Sequence, residues 1–228
     1  MNEPLLLLPG MMCDARLFAP QIAAFSVDRA VMVAPLRGRT AFAEMASDIL
    51  AVAPARFALG GLSMGGIAAM EIVRQAPDRV TRLALLDTNP LAEEPARASA
   101  REPQIERVWQ GGLRAVMRDE MKPNYLTDGP NRAGILDLCM DMAEALGPEI
   151  FVEQSRALQQ RPDQCGTLRA VRVSTLVLCG EDDRLCPVER HELMHELVPD
   201  SKLAVVPGAG HLRRWNNPIA PPRSCALG

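Results

Sequence analysis

Two patterns in this chain have the residue types and spacing to do chemistry. The first is Gly61-Leu62-Ser63-Met64-Gly65-Gly66, a serine held between glycines. A serine hydroxyl is a weak nucleophile at neutral pH, so it needs a base, and the base needs an acid to orient it. His211, in Pro207-Gly208-Ala209-Gly210-His211, supplies a base, and Asp183, in Gly180-Glu181-Asp182-Asp183, an acid. The chain order Ser, Asp, His is one of the known arrangements for this chemistry. Asp182 and Asp87 are the other carboxylates placed to serve. The second pattern is His191-Glu192-Leu193-Met194-His195, a literal H-E-x-x-H, which in a zinc peptidase places two metal ligands and a general base on one helix face.

The elements around these residues decide between the two. Phe57-Ala58-Leu59 reads as a buried strand and Ile67, Met70 and Val73 as the apolar side of a helix that stops before Pro77. Strand, glycine turn and helix is the context a nucleophile elbow requires. The glycines do not fit a dinucleotide loop, which wants G-x-G-x-x-G with a ribose-binding acid about 20 residues on. For the zinc pattern, a third ligand is wanting. No glutamate follows Glu196, and Val198 stands where a metzincin has glycine. At 100° per residue the apolar stripe is assigned to Leu193, Met194, Leu197 and Val198, which puts His191 and His195 at the solvent edge. No metal site is expected.

Further short apolar runs at Leu5–Leu8, 30–34, 80–87, 175–179 and 203–206 alternate with helical patterns, among them 41–53 and a helix starting near Pro187. Continuous apolar strands between helices predict a mostly parallel sheet of about six strands, covered on both faces. Residues 91–170 break the alternation. They hold candidate helices at 103–121, 132–146 and 148–160, expected as a helical cap inserted into a core made of 1–90 and 171–228. Ser63, Asp183 and His211 then all fall at carboxyl ends of parallel strands, where such sheets place their sites.

With 228 residues, 48% of them hydrophobic, the chain suffices for one large core. A net charge of −3 offers no basic face for nucleic acid or anionic membrane. No window approaches the roughly 18–20 apolar residues of a membrane span, and Met1-Asn2-Glu3-Pro4 has no basic leader region. The six cysteines show no C-x-x-C pairing. A reduced, soluble, cytoplasmic protein is expected.

Leu-Pro-Gly-Met-Met-Cys-Asp (8–14), Gly-Leu-Ser-Met-Gly-Gly (61–66), Leu-Leu-Asp-Thr-Asn-Pro (85–90), Leu-Val-Leu-Cys-Gly-Glu-Asp-Asp (176–183) and Pro-Gly-Ala-Gly-His (207–211) together resemble the α/β-hydrolase family, in its capped, esterase-like form. The resemblance covers most of residues 5–211. It implies a Ser63–His211–Asp183 triad, since the family's spacing of three from Gly180 favours Asp183 over Asp182, while some relatives take the acid from the place of Asp87. It implies an oxyanion hole from the amides of Met64 and Met11, with Pro9 standing where the family more often has histidine. The substrate pocket is expected around Met11, Met12, Ser63, Met64 and the cap, lined by Trp109 or Tyr125, with methionine-rich, mostly uncharged walls. The implied activity is cofactor-free hydrolysis of a small-molecule ester, thioester or lactone, the same triad serving C–C hydrolases and acyltransferases. A fold retained for ligand binding or interaction without catalysis is the alternative. The family's two strands before the first one here, and its helix after the histidine, are missing from the pattern. Pro218, Pro221 and Pro222 forbid a regular helix over 216–223, as in a truncated or frame-altered C-terminus.

Overall fold

A computed structural model describes residues 2–125 and 132–212. The tail with its three prolines lies outside these residues. Strand β1 (Leu5–Leu8) leads through a short 3-10 turn (Ala15–Phe18) into helix α1 (Ala19–Phe25), and β2 (Val31–Val33) into α2 (Phe42–Val52). Then come β3 (Phe57–Leu62), α3 (Met64–Gln75) and β4 (Val80–Leu86). Between β4 and β5 the described residues form helices, among them α4 (Pro95–Arg107), α5 (Leu113–Val116), α6 (Arg132–Gln159) and α7 (Cys165–Ala170). It closes with β5 (Thr175–Gly180), α8 (Val188–Leu197) and β6 (Ser201–Val206).

The six strands form one sheet in the order β2-β1-β3-β4-β5-β6, every neighbouring pair parallel. This is the parallel, doubly covered sheet of six strands that the apolar runs predicted. Successive strand residues point to opposite faces, and the core divides accordingly. Leu6, Leu8, Leu59, Leu83 and Val177 pack on one side with Met45 and Ile49 of α2, Ile67 and Met70 of α3 and Met194 of α8. Leu7, Leu62, Leu86 and Leu178 pack on the other with Leu17, Phe18 and residues of α6 such as Ile135 and Cys139. β1 has β2 on one flank and β3 on the other, so the chain reverses its direction of travel across the sheet beside β1. The loops after β1 and β3 therefore diverge and leave a crevice at their carboxyl ends.

Within 91–170 the helices differ in detail from the sequence pattern. α4 begins at Pro95, eight residues before the expected helix. Proline is preorganised for a first helical position, and the segment it opens is polar, with Ile105 its one buried residue, so no apolar period announced it. α6 runs over both expected helices, broken at Gly147 (φ 84°), the residue between 132–146 and 148–160. The six-residue α7, with only Leu168 buried, was too short to show a period. Among the described residues, no helix is long and apolar enough to cross a membrane.

Candidate active site

The turn between β3 and α3 is built by exclusion. A Cβ on Gly61 would lie 2.2 Å from the Gly65 carbonyl oxygen, and one on Gly65 would lie 2.0 Å from the Leu8 carbonyl oxygen. Helix α3 thus sits directly on strands β3 and β1, closer than any side chain permits. The cost of the sharp turn falls on Ser63, whose φ of 53° and ψ of −115° lie where L-residues are strained. Its backbone is tied down on both sides. The Ser63 amide donates to the Leu86 carbonyl at 2.8 Å, and the Ser63 carbonyl accepts from the Gly66 amide at 2.9 Å and the Thr88 hydroxyl at 2.7 Å. Among the described residues, the non-glycine positions with positive φ are Met12, Ser63 and Asp87. They follow β1, β3 and β4, so the strain is gathered at one end of three adjacent strands.

Asp183 and His211 meet at that same end. Gly180 closes β5 against the loop carrying His211, where a Cβ would lie 2.2 Å from the Ala209 carbonyl oxygen. His211 Nδ1 is 2.7 Å from Asp183 Oδ2, with both side chains almost wholly buried. The other Asp183 oxygen, Oδ1, accepts the amides of Leu185 (2.8 Å) and Cys186 (3.0 Å). Burial works against the Asp183 charge, but His211 and these hydrogen bonds outweigh it and hold the carboxyl below its usual range. Burial likewise works against a charged His211, yet the Asp183 and Asp87 carboxylates prevail and raise its pKa above 6.5. Asp182 is exposed. Asp87 is buried, and its Oδ1 accepts the Gly180 amide at 2.9 Å, which joins β4 to β5.

Ser63 and His211 line one cavity of about 290 Å³, together with Met11, Met64 and Tyr125. The Met64 amide opens α3, where the first amides have no partner in a preceding turn. Tyr125 is buried, its ring centroid 6.3 Å from that of His211 and its carbonyl accepting the Leu212 amide at 3.0 Å. Two expected pocket residues are placed elsewhere. Trp109 is 55% exposed and away from the cavity wall. Met12 turns its side chain into the core and spends its amide on Gln154 Oε1 at 2.8 Å. Met11, Met64 and Met121 line the wall, but it is not the mostly uncharged surface expected. Arg97, Arg101 and Arg161 line it with Glu93 and Glu120. They come from α4, from the loops at Glu93 and Arg161 and from the helical turn Met117–Met121, and nothing in the sequence showed that one cavity would gather them.

The H-E-x-x-H helix departs from expectation in one respect. His191 is fully buried, because it lies in line with Met194 and Val198, three and seven residues on. Its Nε2 accepts the Thr88 amide at 3.0 Å, and its Nδ1 faces the Pro187 carbonyl at 3.2 Å. Both nitrogens are therefore occupied and the ring is neutral, with burial lowering its pKa. His195 is half-buried and bonds the Ser201 hydroxyl through Nδ1 at 2.7 Å. The pair is anchored in the fold and has no free ligand face at His191.

Comparison with known proteins agrees with this architecture. A sequence model described as the alpha/beta hydrolase family matches residues 5–220. A Klebsiella pneumoniae protein provisionally named carbamate hydrolase RutD is 26% identical over 174 residues, 74% of this chain, and the chain spans only 64% of that relative's length. A 2-hydroxy-6-oxo-6-phenylhexa-2,4-dienoate hydrolase of Burkholderia cepacia is 24% identical over 92% of this chain and 75% of its own. Among solved structures, a thermophilic esterase from Thermogutta terrifontis superposes with a TM-score of 0.85 and 28% identity, over 94% of this chain and 85% of that one.

Proposed function

The chain belongs to the alpha/beta hydrolase family, and on that premise we propose that it is a serine hydrolase of small-molecule carboxylic esters, thioesters or lactones. Residues 1–90 and 171–228 serve as the hydrolase core and 91–170 as a cap over the site. The observation that carries the proposal is the 2.7 Å contact between His211 and Asp183, buried beside the same cavity onto which the strained Ser63 turn opens.

Asp183 accepts a hydrogen bond from the His211 Nδ1–H, which fixes the tautomer and leaves Nε2 to take the proton of Ser63. Ser63 Oγ attacks the acyl carbon, and the amides of Met64 and Met11 receive the developing oxyanion. His211 returns the proton to the leaving group, and water then hydrolyses the acyl-enzyme by the same route. Each step uses groups of this chain and water, with no cofactor. The substrate is a small molecule, and the balanced charge argues against nucleic acid or a membrane as partner. The cysteines, unpaired at all five described positions, suit the reducing cytoplasm.

The test is the intact mass after exposure to a fluorophosphonate, for wild type and Ser63→Ala. One adduct on the wild type and none on the variant is expected. No adduct on folded wild type refutes the hydrolase and favours the non-catalytic alternative. Likeness to the Burkholderia cepacia hydrolase makes C–C bond cleavage the second activity to assay, since the same serine and histidine would serve it.

A further inference from the structure

The cavity wall carries a charge pattern that the proposed hydrolysis does not use. Glu93 is buried, its side chain 1% exposed, and it bridges two guanidiniums. Its Oε2 is 2.9 Å from Arg101 and its Oε1 3.2 Å from Arg161. One carboxylate thus faces two buried or half-buried cations. Arg97 lines the same cavity and has no carboxylate partner among the described residues. The other acid of the wall, Glu120, is already matched by Arg107 at 2.6 Å. The wall therefore holds more positive charge than its own acids neutralise.

Arg161 makes the imbalance specific. It is 9% exposed, and its Nε is buried with no hydrogen-bond partner. A buried donor of this kind costs stability unless something fills it. Burial depresses the Arg161 pKa and Glu93 supports its charge, while Arg101 and Arg97, which line the same cavity, oppose it. A cavity wall with two arginines on one acid and a third arginine beside them is relieved by a further anion. Guanidinium forks match a planar carboxylate in geometry as well as in charge.

We propose that Arg97, Arg101 and Arg161 form an anion subsite in the catalytic cavity, and that the substrate is an ester or lactone carrying a free carboxylate. The position of that carboxylate in the substrate, on the acyl or the alcohol side, is set by which end reaches Ser63. This inference rests on the hydrolase proposal for its catalytic consequence, but the subsite itself can be read by binding alone.

Two measurements separate the two. The first compares hydrolysis of mono-4-nitrophenyl succinate with that of its neutral methyl ester. Wild type is expected to favour the free acid by about 10- to 100-fold in kcat/KM, the range of a charge-assisted hydrogen bond. The preference should shrink as salt rises. Arg97→Gln, chosen because Arg97 is exposed and holds no structural ion pair, should bring the ratio towards unity chiefly through KM. Arg39→Gln, which touches only Asp48 on the surface, should leave the ratio intact. The second measurement is thermal stabilisation by succinate at constant ionic strength, in wild type, Arg97→Gln and Ser63→Ala. Stabilisation of wild type and Ser63→Ala, weakened in Arg97→Gln, supports the subsite even if Ser63 never labels. Equal turnover of the two esters, or no succinate effect on a protein that labels normally at Ser63, overturns it.

Discussion

His191 Nε2 accepts the Thr88 amide at 3.0 Å, and the hydroxyl of the same threonine donates to the Ser63 carbonyl at 2.7 Å. The buried histidine of α8 is thereby tied to the backbone of the candidate nucleophile through one residue. Thr88 also fills the space in front of Gly66, where a Cβ would come within 2.5 Å of its hydroxyl oxygen. His191→Phe keeps a buried ring of similar size but leaves the Thr88 amide without an acceptor. We expect a loss of about 1–3 kcal/mol, measured as a lower urea midpoint, together with slower fluorophosphonate labelling of Ser63. An unchanged midpoint would show that the Thr88 amide finds another acceptor.

Asp183→Asn should lower kcat by about 10⁴-fold, because an amide holds the imidazole in the wrong tautomer. Asp182→Asn should stay within about twofold of wild type, since that side chain is exposed. Steady-state rates on a chromogenic ester distinguish them, and equal losses at both positions would refute the assignment of Asp183.

The pH dependence follows from the buried pair. In the proposed mechanism only neutral His211 can accept the proton of Ser63, and the His211 pKa is raised in the fold. The acidic limb of kcat/KM against pH should therefore lie above 6.5. For stability the signs are these. The raised His211 pKa contributes stability fully present below pH 6.5, lost as pH rises through the folded value. The lowered Asp183 pKa contributes stability present above pH 3.8, lost as pH falls through its own folded value. His191, depressed by burial, opposes His211. Its contribution is present above pH 6.5 and lost as pH falls below it. Urea midpoints of wild type and His191→Phe across pH 5 to 8 should converge towards the acid end.

Two glycine substitutions should have opposite signs. Gly65→Ala places a methyl group 2.0 Å from a strand carbonyl, and a destabilisation of about 3 kcal/mol or more is expected. Gly134→Ala, near the start of α6 with open space around it, should stabilise by about 0.5–1 kcal/mol through reduced chain entropy. Thermal melts of both read the contrast.

The sheet, the serine turn and the places of Asp183 and His211 were legible in the sequence because each depends on local pattern. Continuous apolar runs are what two-sided burial demands, and glycines at 61 and 65 are what a helix lying on a strand demands. Close approach of backbones leaves its mark at the position where it occurs. The inward turn of His191, the occupied Met12 amide and the exposed Trp109 left no such mark. Their environments are set by which helix packs over which strand end. Helical phase alone did carry part of the His191 answer, in its alignment with Met194 and Val198, but its acceptor role needed Thr88, 103 residues away. The arginines of the wall stand at 97, 101 and 161 in segments that read as polar surface. Only the docking of those helical segments over the strand ends brings the three to one cavity and sets Arg101 and Arg161 on a single buried glutamate. Sequence fixes which groups the chain owns and the period of its elements. Tertiary packing decides which charges share a cavity, because that depends on contacts between segments whose separation along the chain carries no local signal.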